Sequence, residues 1–138
     1  MDFKYELTVV PVSDVDRAKE FYAEKAGFNV DVDQAMGEDF RVVQLTPPGS
    51  AASITIGKGI PQGEPGSYQG MHLVVDDLAA ARELLVERGV DVSEPFHFGP
   101  GGRTDGLHPQ RESYGSFATF ADPDGNLWLV QEVTERSR

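Results

Sequence analysis

The chain has 138 residues, 39% hydrophobic and 25% charged, which suits one domain with a sizeable core. Its net charge of −11 repels phosphate backbones and anionic lipid, so nucleic-acid and membrane roles are disfavoured, and the acidic residues are spread as a solubilising surface charge. There is no cysteine, which excludes disulfides, thiolate zinc sites and a cysteine nucleophile; no apolar run has transmembrane length and no signal-like leader is visible, giving the expectation of a cytoplasmic protein.

The first expected strand covers about residues 5–12. A helix follows, opened by a capping-box pattern of Ser13 with Asp16. Val15, Ala18, Phe21 and Tyr22 recur at helical spacing and form its buried face, and Gly27 stands where a left-handed C-cap belongs. Strands are expected at about 28–33, 40–46 and 53–56. A Gly- and Pro-rich linker at about 58–69 separates this half from the next.

The second half repeats the first. Asp14 and Asp77 match at a spacing of 63 residues, and Val12 with Val75, Ala18 with Ala81 and Glu20 with Glu83 follow. One deleted residue brings Gly27 onto Gly89. The expected strand at about 70–75 leads into a helix capped by Asp76 or Asp77, with Leu78, Ala81, Leu84 and Leu85 on its apolar face. Strands are expected at about 90–96, 115–120 and 127–133, with residues 98–113 as a long polar loop, a lid or rim. The expected fold is α+β: two tandem βαβββ units (about 5–57 and 70–133) in a single domain. Their strands form a curved mixed sheet around a shared cavity suited to a small ligand, with the helices outside.

The segments "VPVSDVDRAKEFYAEKAGF", "VVDDLAAARELLVERGV" and "FADPDGNLWLVQE", in that order, resemble the vicinal oxygen chelate superfamily. That superfamily includes glyoxalase I, bleomycin-resistance proteins, fosfomycin-resistance enzymes and extradiol dioxygenases, and the likeness is greatest to a bacterial glyoxalase-like group. The resemblance covers essentially the whole chain and speaks for the fold more than for the reaction. It places metal-ligand positions of the family at Leu7, Gly70 and Leu129, none of which can donate to a metal. Neither a metal nor another cofactor is therefore expected. The family also implies a homodimer.

Strand parity puts Val9, His72 and Gln131 on the face of Leu7 and Leu129, toward the expected cavity. His72 reads as a ligand contact, a base or an anchor for a displaced metal, or else as a histidine satisfied by a neighbour. Gln131 and Gln44 read as amides for a polar ligand group. Glu132 falls on the opposite face. Arg103 and Arg111, on the long loop, read as attractors of an anionic ligand, or as solvated side chains. His97 and His108 lack the spacing of a metal site, the "GPGG" of residues 99–102 precedes no helix, and no nucleophile motif is present. Tyr22 is expected to pack under its sheet, and Trp128 and Phe117 in the core.

The ligand-binding set is thus Leu7, Val9, Gln44, His72, Arg103, Leu129 and Gln131, with His72 as the one catalytic candidate. Three functions compete. The first is binding of a small organic molecule without the usual divalent metal, as in bleomycin-resistance proteins, with an acidic surface that would suit a cationic ligand by long-range attraction. The second is a lyase, isomerase or dioxygenase using His72 or a noncanonical metal site, and the third is an interaction module without a ligand.

Overall fold

The structure, a computed structural model, describes residues 1–137. The chain divides into two units, each led by a strand and a helix. Unit 1 comprises Met1–Tyr68 together with Asp122–Asn126. Its elements are β1 (Leu7–Val9), α1 (Val15–Glu20), β2 (Asn29–Met36), β3 (Phe40–Thr46) and β4 (Ser53–Lys58). The sheet order is β1-β4-β3-β2, with β1 parallel to β4 and the other pairs antiparallel.

Helix α1 is capped by Asp14, whose carboxylate accepts the Arg17 N–H at 3.1 Å. The expected Ser13–Asp16 box does not form, because Asp14 itself takes the extended conformation of an N-cap (φ −136, ψ 109). Ser13 instead donates its hydroxyl to Asp124 at 2.5 Å. After Glu20 the helix widens into a π-helical turn, Phe21–Lys25, in which the Ala26 N–H reaches the Phe21 carbonyl at 2.9 Å. This turn accommodates the one residue by which the Asp14–Gly27 interval exceeds the Asp77–Gly89 interval. Both glycines take the left-handed conformation, at φ 82 and 89.

The inner faces of β3 and β4 contribute Val43, Leu45 and Ile56, all fully buried, and α1 with its π turn contributes Ala18, Phe21 and Tyr22. Each large apolar side chain so buried stabilises the unit by about 1.5–3 kcal/mol relative to exposure. A polar cluster completes this core. Asp122 accepts from the Tyr22 hydroxyl at 2.7 Å, from Asn126 Nδ2 at 2.8 Å, and from the backbone N–H groups of Asp124 and Asn126 at 3.0 Å. Asn126 also donates to the Pro11 carbonyl at 2.8 Å and accepts the Tyr68 N–H at 3.1 Å. Asp122, which opens the Asp-Pro-Asp-Gly turn, and Asn126, which follows it, thereby form a buried polar centre of unit 1.

Unit 2 comprises Gln69–Ala121 and the residues from Leu127 on. Its elements are β5 (Met71–Val75), α2 (Leu78–Glu87), β6 (Phe96–Gly99), β7 (Gly102–Asp105), β8 (Ser116–Ala121) and β9 (Leu127–Glu132). The order β5-β9-β8-β6-β7 repeats that of unit 1, again with the first strand parallel to the last, and adds β7 outside β6. Asp77 caps α2, accepting the Ala80 N–H at 3.1 Å. Leu78 and Leu85 are buried as expected, whereas Leu84 is 46% exposed and lies off the apolar face.

The α+β class holds, but unit 2 is βαββββ rather than βαβββ. The expected strand at 90–96 does not form. Val90 and Val92 bury their side chains in alternation, which mimics a strand, while the backbone bonds elsewhere. Arg82 donates to the Ser93 and Val92 carbonyls, and Ser93 N–H to the Thr119 carbonyl. Conversely, residues expected as polar loop form the β6–β7 hairpin. Pro100 pre-sets the turn entry and Gly102 takes φ 100, which a β-carbon would disfavour.

Candidate functional site

Residues paired across a sheet share a face, so register decides which side chains stand together. In unit 2, His72 pairs with Leu129, Leu129 with Thr119, Val74 with Gln131, Gln131 with Phe117, and Phe117 with Phe96. These residues lie on one face, with Phe98 and Arg103 further along it. The opposite face carries Ala118, Phe120, Trp128, Val130 and Glu132, all buried, and α2 packs against it. In unit 1, Leu7 pairs with Ser53, and Val9 and Gln44 both pair with Thr55, so these expected site residues share the face away from α1.

The unit 2 face is the more unusual surface. Phe96, Phe98 and Phe117 form an aromatic cluster, with Phe96 and Phe117 stacked at 5.6 Å and Phe98 edge-on to Phe117 at 5.5 Å. Phe98 remains 60% exposed. Arg103 lies over Phe96, its guanidinium carbon 3.6 Å from the ring centroid. His72 is exposed, and its ring has no hydrogen bond or ion pair among the described residues.

Two expected contributors are already engaged. Gln131 donates its amide to the Tyr114 carbonyl at 3.0 Å. Arg111 is not a free attractor of anions. Its Nε and Nη2 bind the two carboxylate oxygens of Glu132, a residue with no exposed surface, and the Leu78 N–H adds a third bond at 2.8 Å. The Arg111 hydrogen bonds hold the Glu132 carboxyl below its ordinary range, against the opposing effect of burial and with help from the Leu78 amide. Arg111 (φ 50) and Tyr114 (φ 71) both occupy the left-handed region, a strain that this pairing maintains. Gln44, by contrast, has no side-chain hydrogen bond among the described residues.

The remaining histidines fasten the loop that was expected to be a lid. His97 donates from Nδ1 to the Gly106 carbonyl at 2.7 Å. His108 accepts the Gln110 N–H on Nδ1, lies 3.4 Å from Glu112 through Nε2, and gives its backbone N–H to Ser116. Among the described residues no group of three or more His, Asp or Glu side chains is disposed to hold a metal ion. Leu7, Gly70 and Leu129, the positions where the sequence resemblance implies metal ligands, carry aliphatic or absent side chains, which do not fit a divalent cation.

Unit 1 also has a cleft of about 520 Å³ at the β1–α1 junction, lined by Asp14, Asp16, Arg41, Lys58 and Gln62 among others. Arg41 binds both oxygens of Asp33 and reaches Asp16, while Lys58 donates to the Glu38 carbonyl. None of the expected site residues lines this cleft.

The aromatic cluster was missed in the sequence because Phe117 read as core. It stands on the face away from α2, and the small Ser116 and Ala118 are the buried partners. Parity from Gln131, its cross-strand neighbour, was the available signal.

The chain belongs to the glyoxalase/bleomycin resistance protein/dioxygenase superfamily, whose model matches residues 4–130. Among solved structures it is similar to TnmS3, an antibiotic binding protein from Streptomyces sp. CB03234, at 34% identity over 96% of this chain and 97% of that one, with a TM-score of 0.73. A glyoxalase/bleomycin resistance protein from the same organism is 35% identical over 94% of this chain and all of its own, with a TM-score of 0.70. The protein YetH of Bacillus subtilis is 26% identical over 124 residues, 89% of this chain and 92% of that protein.

Proposed function

We propose that the protein binds a small organic molecule on the face of the unit 2 sheet away from α2, without the divalent metal of the family's enzymes. The observation that carries this reading is the exposed Phe98, backed by Phe96 and Phe117, on the sheet face that also carries Leu129 and, on its edge strand β5, His72. Exposed aromatic surface with a few polar groups is what recognition of a planar organic ligand requires. Antibiotic binding by TnmS3, at 34% identity, supports the same reading. Leu7, Val9 and Gln44 lie on the corresponding face of unit 1 and are not part of this reading. In this reading the protein is cytoplasmic and, as the family resemblance implies, a homodimer, and it takes no nucleic acid, which its net charge of −11 disfavours.

A thermal-shift panel of antibiotics and polycyclic metabolites tests the reading, since a ligand of the native state raises the melting temperature. A hit is expected to persist in chelator and to disappear in Phe98→Ala. A hit lost on chelation would overturn the metal-free reading. A second reading, an enzyme with His72 as general base, draws support from the unbonded imidazole on the same face. It requires turnover of a bound compound that His72→Ala abolishes while affinity survives.

A further inference from the structure

We infer that the ligand is an aromatic monoanion, its ring seated on Phe98 and its acidic group held by Arg103; this rests on the reading of the unit 2 face just given. Arg17, Arg41, Arg82 and Arg111 each have a carboxylate partner within 4 Å. Arg103, like Arg88 and Arg136, has none among the described residues, and of these three it alone is recorded over an aromatic ring. Asp105 shares its strand and face but forms no ion pair with it. A guanidinium seated on an aromatic ring, with no carboxylate paired to it, is suited to receive an anion.

The Phe96 ring under Arg103 fixes that receptor's orientation. At 3.6 Å from the ring centroid the guanidinium is in cation–π contact with Phe96, and its N–H donors, which hydrogen-bond no described residue, offer the fork that fits a carboxylate or sulfonate. Arg103 also pairs across the hairpin with Phe98, so the cation and the exposed ring are nearest neighbours on one face. A charge placed directly on an aryl ring matches that spacing. An aliphatic anion would leave Phe98 uncovered, and a neutral arene would leave Arg103 unpaired.

Calorimetric titration of the full chain with naphthalene-2-carboxylate and naphthalene-2-carboxamide separates charge from shape. The carboxylate is expected to bind at least about tenfold more tightly at low ionic strength, with the preference shrinking as salt is added. Arg103→Gln is expected to abolish the preference and leave carboxamide affinity intact; Arg103→Lys, which keeps charge but loses the fork, should retain part of it. Equal affinities in the native chain, or a preference that survives Arg103→Gln, would overturn the inference while leaving the binding face standing. Failure of both probes to bind the native chain would also overturn the inference, and the binding face itself then stands or falls with the thermal-shift panel.

Discussion

The two units share a scaffold and differ in what they do with their free faces. Each begins with a strand parallel to its last, caps its helix with an aspartate, and ends that helix on a left-handed glycine. The differences lie in the buried polar group and in the outer strands. Unit 1 buries Asp122 among neutral donors, from Tyr22 and Asn126. Unit 2 buries Glu132 against a guanidinium and a helix N-terminus. Unit 1 leaves Leu7, Val9 and Gln44 on the face away from its helix, whereas unit 2 adds β7 and with it Arg103, beside three phenylalanines. A duplicated fold keeps what specifies backbone geometry and varies what faces outward.

The largest effect is expected where unit 1's polar core is broken. Asp122→Ala strips acceptors from the Tyr22 hydroxyl, the Asn126 amide and two backbone N–H groups at a site 5% exposed. Two or more stranded donors should cost about 3 kcal/mol or more in chemical denaturation. A loss below about 1 kcal/mol would mean that water replaces the carboxylate and that the cluster is not a core element.

Next comes Gly66, whose φ of 80 already favours glycine and whose added β-carbon would lie 2.1 Å from the Asp124 carbonyl oxygen. Gly66→Ala should destabilise by about 1–3 kcal/mol, whereas Gly89→Ala, with open space around its β-carbon, pays only for its left-handed backbone, about 1 kcal/mol. Equal losses at the two positions would show that packing against the turn adds nothing.

Acid sharpens the contrast between the units. In unit 1, hydrogen bonds from Arg41 and then Lys19 pull the Asp33 carboxyl from 3.8 to about 2. In unit 2, Arg111 holds Glu132 below its ordinary 4.5. Both folded-state values are depressed, so each pair's contribution is present above the ordinary value and is lost as pH falls through the folded one. Glu132→Gln should cost about 1–2 kcal/mol near pH 7 from weakened charge-assisted bonds, and the gap to the native protein should close below pH 4.5. Asp33→Asn should instead remove the part of the acid dependence lying between 3.8 and about 2. A Glu132→Gln deficit that stays constant down to pH 3 would assign its effect to shape rather than charge.

What was legible in the sequence follows the same division. Caps, glycines and the helical spacing of Ala18, Phe21 and Tyr22 are local rules, and they located both helices. The one-residue mismatch between the repeats was visible, but nothing local said that a π turn at Phe21–Lys25 would absorb it. Ser13 resembled a cap because its spacing to Asp16 fits; the competing bond to Asp124 spans 111 residues and has no local signature. The β6–β7 hairpin was hidden by its own turn, since Gly-Pro-Gly-Gly reads as loop unless flanking residues are seen to pair. For the site, parity placed His72, Leu129 and Gln131 on one face. It could not foresee that Tyr114 would occupy Gln131 or that Glu132 would claim Arg111.

The smallest expected effect tests the comparison of the two faces directly. Gln44→Ala removes an amide with no hydrogen bond in the described structure, so neither stability nor register depends on it. Recognition energy concentrates in buried aromatic and arginine contacts, with surrounding polar groups contributing little. For any ligand whose binding Phe98→Ala abolishes, Gln44→Ala should therefore weaken affinity by no more than about threefold, under roughly 0.7 kcal/mol. Stability should change by less than about 0.5 kcal/mol in Gln44→Ala, whose amide is unbonded, and by about 1 kcal/mol in Phe98→Ala, which loses its edge contacts to Phe96 and Phe117. A loss at Gln44 as large as that at Phe98 would place recognition on both units alike, and the added strand of unit 2 would then no longer explain the difference in their roles.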